Sequence, residues 1–207
     1  GYTGTEGFDT TFAESEAYQA GLAAFQELID AEAFSPSAST DGSKEVVASM
    51  VAGDAFMDLD CSSRYAAIKR TDENCPIAMF ALPAKEAADT RLLIWPGTIE
   101  SVAATTEDQE GALQFIDYIT GTEGNTLWVE SAGGSEMPLA VLNDPDNWFD
   151  YLKPLSAYAD VCGLIPSADW KSVNPDVALG EGGTGMLTGI MTAEEVLEAM
   201  DTEWGNM

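Results

Sequence analysis

The stretch LLIWPGTIESVAATTEDQEGALQFIDYITGTEG, residues 92–124, decides how the chain reads. An apolar run stops at Pro96-Gly97, resumes as a half-polar segment from Ile99 to Ala104, and passes through a polar turn into a run with helical spacing. Thr106–Gln109 has the composition of a capping box, Ala112, Phe115, Ile116 and Ile119 share one helical face, and Gly121 supplies a stop. Proline has no amide hydrogen for a ladder and glycine has no side chain to pack, so neither belongs in the middle of a strand. The break therefore marks either a crossing between two separately packed bodies, where glycine permits the torsions that closure changes, or an ordinary bulge within one sheet.

Outward from this stretch the pattern alternates between helix and strand. A capping box at Thr11–Glu14 opens a first helix with Tyr18, Leu22, Phe25 and Ile29 on one face. SKEVVASMVAG, residues 43–53, predicts a second helix ending at Gly53. DAFMDLD, 54–60, alternates apolar and polar positions and predicts a strand, with Asp58 and Asp60 on one face. PIAMFALP, 76–83, predicts a short apolar strand, followed by a surface loop at 84–90. Beyond residue 121 the pattern predicts a short helix carrying Leu127 and Trp128, with Trp128 a core residue, a connection over 135–147, with Trp148 packed beside it, and a helical segment around Tyr151–Tyr158. An irregular glycine-rich stretch comes next, then a last helix capped by Thr192–Glu195 with Val196, Leu197, Met200 and Trp204 buried. Interleaved helices and short strands predict an α/β fold.

Composition narrows the function. The 207 residues are 45% hydrophobic, enough for a sizeable core, and carry 8 basic against 36 acidic groups for a net charge of −28. Such a charge repels phosphate backbones and anionic membrane surfaces unless a basic patch intervenes, and Arg64–Arg70 holds only Arg64, Lys69 and Arg70; no nucleic-acid partner is expected. The sequence contains no histidine, which excludes Ser-His-Asp and Cys-His catalysis within this chain and removes the commonest metal ligand. Cys61, Cys75 and Cys162 lack zinc-site spacing, so no metal is expected. Cys61 and Cys75 either close a small disulfide loop or stay as free thiols. Gly180, Gly182 and Gly185 satisfy GxGxxG, but no strand leads in, which predicts a flexible loop and not a dinucleotide site. NDPDNWFD, 143–150, has Phe149 where a calcium loop needs glycine. No cofactor is expected.

The order of the segments resembles the C-terminal half of the family 1 extracellular solute-binding proteins, the maltose-binding-protein-like sugar receptors of ABC importers. The likeness lies in EVVASMVAGDAFMDLD, then IAMFALP, then WPGTIESVAATTEDQEGALQFIDYITGTEG, then MLTGIMTAEEVLEAMDTEW. It implies a periplasmic-binding-protein-like type II fold, a two-lobed clam. Residues 1–94 and 146–207 would form the C-terminal lobe and 95–145 a returning segment of the N-terminal lobe. Most of that first lobe and a lipoprotein signal would precede Gly1. The resemblance further implies a monomeric, non-catalytic receptor, lipid-anchored at the cell surface, that captures an oligosaccharide and delivers it to ABC permease subunits in the membrane. Sugar sites combine aromatic faces with planar polar groups. The residues expected to supply them are Asp60, Ser62, Ser63, Tyr65, Trp95, Gly97, Thr98, Glu100 and Trp170; relatives commonly carry an aromatic after the strand that ends here at Asp60, where this chain departs with Cys61-Ser62-Ser63-Arg64-Tyr65, and Trp170 falls about where they carry a late aromatic. The competing expectations are a glycoside-processing enzyme using Asp58, Asp60 and Glu100, and a receptor for a peptide or polyamine, which the acidic balance permits.

Overall fold

The computed structural model describes residues 10–94, 100–131, 146, 148–161, 163–164 and 173–205. Helices dominate among them: α1 (Glu16–Asp30), α2 (Ser43–Ala52), α3 (Ser62–Thr71), α4 (Gln109–Thr120), α5 (Thr122–Ser131), α6 (Asn174–Leu187) and α7 (Ala193–Gly205), with 3-10 turns at Ala87–Asp89 and Lys153–Val161. Strand pairing among the described residues is confined to β1 (Leu93–Ile94) and β2 (Gly163–Leu164), two residues each, in parallel register. The chain is thus mostly helical, which overturns the expected α/β class and with it the two-lobed clam of a solute-binding protein's C-terminal half.

The reason is visible in the predicted strands. Alternation at 54–60 does give non-helical backbone, but a strand also needs a lateral partner for its amides and carbonyls, and none lies alongside among the described residues. Phe56, Met57 and Leu59 are 89%, 77% and 79% exposed, so the alternation separates no buried face from a wet one. Residues 76–83 likewise form no ladder; Phe80 and Leu82 are exposed, and only Ala81 is buried.

The chain divides into two compact units, Gly1–Gly42 with Ile165–Met207, and Ser43–Leu164. The expected partition placed breaks after residues 94 and 145; residues 95–99 and 132–145 lie outside the described ones.

The first unit is built from α1, α6 and α7 around Phe12, Leu22, Met186, Val196, Leu197 and Met200. Phe12 is fully buried and meets Tyr18 and Trp204 edge-on, with ring centroids 5.1 and 5.9 Å away. The Asp201 carboxylate of α7 accepts from the amides of Phe12 (2.6 Å) and Ala13 (3.1 Å), fastening the turn before α1 to the last helix. The Thr11 hydroxyl accepts from the Glu14 amide as the capping box predicts, although α1 itself starts at Glu16. The glycine-rich stretch expected as a loop is the body of α6. A side chain on Gly182 would place its Cβ 2.6 Å from both Val196 methyls, so this glycine lets α6 and α7 approach closely. Pro175 falls in the first turn of α6, where its missing amide costs nothing.

The second unit carries two small cores. Val47, Ile68 and Cys75 join α2 to α3, and Lys69 Nζ donates to the Glu73 and Cys75 carbonyls (3.0 and 2.6 Å), closing the turn after α3. Ala81, Trp148, Leu152 and Leu155 form the other, flanked by Phe149, Tyr151 and Tyr158. Trp148 is buried there. The segment expected to be helical around 151–158 is the 3-10 stretch. α4 begins two residues later than its expected cap: Asp108, and not Thr106, accepts from the Gly111 amide at 2.8 Å. Trp128, expected in a core, is 53% exposed on α5. Cys61 and Cys75 are both free, so the disulfide alternative does not hold; Cys162 lies outside the described residues.

Candidate functional site

Four of the residues expected to bind ligand, Asp60, Ser62, Ser63 and Tyr65, lie at the start of α3. Helix formers Ala66 and Ala67 follow two serines, a sequence suited to a helix start, yet α3 was not anticipated. Its first turn brings Arg64 back over Asp60, four residues earlier. Arg64 Nε donates to Asp60 Oδ2 at 3.1 Å, and Nη2 is ion-paired to the same oxygen. Asp58 Oδ2 lies 2.8 Å from Arg64 Nε. Asp60 Oδ1 accepts from the Cys61 amide at 2.6 Å, at the N-terminus of α3 where negative charge is favoured. Arg64 Nη1 donates to the Ser43 carbonyl and hydroxyl (2.9 and 2.6 Å), so one guanidinium links both carboxylates to the first residue of α2.

The two carboxylates titrate in opposite directions. Burial pushes Asp58 above its usual value, and Asp60's charge adds to this, outweighing the attraction of Arg64. For Asp60 burial acts the same way but loses to the hydrogen bonds from Cys61 and Arg64, which hold it below. The difference follows from bonding: Asp60 accepts a backbone amide as well as the guanidinium.

Aromatic rings flank the cluster. Tyr65 stacks on Tyr151 with centroids 4.6 Å apart and planes 11° apart, and Phe149 continues the stack at 5.9 Å. Lys69 Nζ sits 5.8 Å from the Tyr65 centroid. The Tyr151 hydroxyl is buried with no hydrogen-bond partner among the described residues, and burial, with a smaller contribution from Tyr65, pushes it up to about 12. A buried hydroxyl that keeps its proton and lacks an acceptor has a donor to offer.

Asp60, Ser62, Ser63 and Tyr65 are therefore brought together, with the Ser63 hydroxyl 2.9 Å from Cys61 Sγ. Glu100 is exposed. Trp95, Gly97, Thr98 and Trp170 lie outside the described residues. Sequence reasoning missed Arg64 and Tyr151 and weighed Asp58 only as half of an acid pair. The i, i+4 spacing of Asp60 and Arg64 was a signal for the first, whereas nothing local marks Tyr151 as a neighbour of Tyr65. Among the described residues no three acidic or cysteine side chains are grouped as metal ligands.

No protein-family model matches the chain, and no curated protein matches it.

Proposed function

We propose that this chain is a non-catalytic solute-binding protein that captures a carbohydrate at the start of α3 and supplies it, outside the cell, to the permease of an ABC importer. The observation that carries the reading is the convergence of two fixed carboxylates, a guanidinium and two serines beside a stacked aromatic group. Sugars present hydroxyls that need planar acceptors and donors, and C–H faces that need apolar cover. One arginine holds both carboxylates, and each keeps lone pairs that can accept from hydroxyl donors. The transport assignment is supported by the order of segments that resembles the sugar receptors of importers; it does not depend on their fold.

Calorimetric titration with a panel of sugars, peptides and polyamines tests the proposal. At least one sugar should bind saturably, and Asp60→Asn should weaken it roughly tenfold, the effect of one charge-assisted hydrogen bond. A panel in which only amines or peptides bind would overturn the carbohydrate reading.

The opposed shifts of Asp58 and Asp60 favour one second reading, a glycoside-processing enzyme in which Asp58 serves as acid and Asp60 stays ionised. Product formation from labelled oligosaccharides that disappears in Asp58→Asn would select it.

A further inference from the structure

α4 carries an apolar stripe by sequence, yet none of its residues is buried. Leu113, Phe115 and Tyr118 are 55%, 62% and 49% exposed, and on α5 Leu127 and Trp128 are 56% and 53% exposed. The two helices are joined through Gly121, and a Cβ on Gly124 would strike the Tyr118 carbonyl, so the start of α5 lies close against the end of α4. Helix periodicity sets an acid one turn to either side of each exposed leucine. Glu110, Leu113 and Asp117 follow one flank of α4 at i, i+3 and i+7, and Glu123, Leu127 and Glu130 follow one flank of α5 at i, i+4 and i+7. All four acids are exposed.

Nothing nearby in the chain balances these acids: no basic residue occurs between Arg91 and Lys153. Among the described residues Asp117, Glu123 and Glu130 join no ion pair, and the Glu110 carboxylate meets only the Gln114 side-chain amide, at 3.4 Å. Charge therefore selects what can cover the leucines. A second copy of the chain would bring the same acids, and a net charge of −28, against them. An anionic membrane surface is repelled for the same reason. A wholly apolar partner would strip water from the flanking carboxylates and return no counter-charge. A helix that alternates apolar residues with lysines or arginines at matching spacing covers the leucines and pairs the acids together.

We propose that the α4–α5 pair docks a basic amphipathic helix of a partner protein. Apolar residues of that helix cover Leu113 and Leu127, and its cations meet Glu110, Asp117, Glu123 and Glu130. The acidic field of the chain draws such a helix in, and salt weakens the attraction. The inference does not rest on the carbohydrate reading, since none of these residues belongs to the cluster at the start of α3.

The probe is a synthetic leucine–lysine peptide with its leucines at i, i+3, i+4 and i+7, set beside a scrambled peptide of the same composition and a version with glutamate in place of lysine. Calorimetry measures binding to the full chain, and circular dichroism confirms that each variant folds; every substituted position is exposed. The patterned lysine peptide should bind roughly tenfold or more tightly than the scrambled one, and the glutamate version should not bind. Leu113→Ser with Leu127→Ser should weaken binding roughly tenfold, and so should Asp117→Asn with Glu123→Gln and Glu130→Gln. Glu16→Gln with Glu27→Gln and Glu194→Gln makes the same charge change on α1 and α7 and should leave binding in place. Equal affinity for patterned and scrambled peptides, or equal losses from the two sets of neutralised acids, would reduce the effect to general attraction between a cation and an acidic chain and overturn the inference. Absence of binding would overturn it as well. A dimer in sedimentation that Leu113→Ser with Leu127→Ser dissociates would give the face to a second copy, which also overturns it.

Discussion

Asp58 and Asp60 are two residues apart and share one arginine, yet the fold treats their charges differently. Asp60, held below its usual value of 3.8, binds its proton less tightly in the folded state than in the unfolded one. Its ionisation therefore contributes stability that is present above 3.8 and is lost as the pH falls through the lower folded value. Asp58 has the reverse sign: its folded value is raised, so its charge costs stability above that value, and the cost vanishes once acid protonates it in both states. We expect Asp60→Asn to destabilise the protein by about 1 kcal/mol at neutral pH, an amount discounted for partial exposure. That difference should narrow as the pH falls below 3.8, whereas Asp58→Asn should be near neutral or stabilising at pH 7. Urea melts at neutral and acid pH measure both, and an equal loss for the two variants at neutral pH would contradict the assignment. The sequence did show that Asp60, the serines and Tyr65 lie close, because contiguous residues cannot be far apart. It did not show that Tyr151 completes the aromatic stack, since that contact joins distant parts of the chain.

At the scale of elements, the pair α6–α7 depends on the absence of a side chain at Gly182. Gly182 would drive a Cβ into the fully buried, branched Val196, which has no rotamer that withdraws both methyls. Gly185 would meet Met191, whose unbranched chain can move aside. Gly180 in the same helix faces open space. Gly182→Ala should therefore cost about 1–3 kcal/mol by overpacking, and Gly180→Ala should add roughly 0.5–1 kcal/mol through helix propensity. Shifts of the urea midpoint in opposite directions check this; two stabilising substitutions would mean the helices are not closely packed. The local signal at the start of α7 held. Thr192 and Glu195 form both bonds of their capping box, with the Glu195 carboxylate accepting from the Thr192 amide (2.8 Å) and the Thr192 hydroxyl accepting from the Glu195 amide (3.3 Å). α6 was illegible because its glycines read as a loop, and only the presence of α7 alongside explains why they are in a helix.

For the molecule as a whole, the dominant quantity is the excess of acids. Each unit concentrates negative charge that favours expansion, and salt should relieve it. Raising NaCl from about 10 to about 500 mM shortens the screening length from roughly 30 Å to a few ångströms. The melting temperature should rise by roughly 2–8 °C, the response of a chain this size to about 1–2 kcal/mol; a fall with salt would point to ion pairs outweighing repulsion. The sequence by itself determined this charge, the absence of histidine chemistry, the helix faces of α1 and α7, and the cap that starts α7, because these properties depend on composition or on residues within a few positions. Tertiary structure decided whether the alternating segments at 54–60 and 76–83 became strands, whether glycines meant loop or close packing, and which side chains meet at Arg64. A helix closes its hydrogen bonds within itself, whereas a strand, a helix contact and a binding site each need a partner that the local sequence does not name.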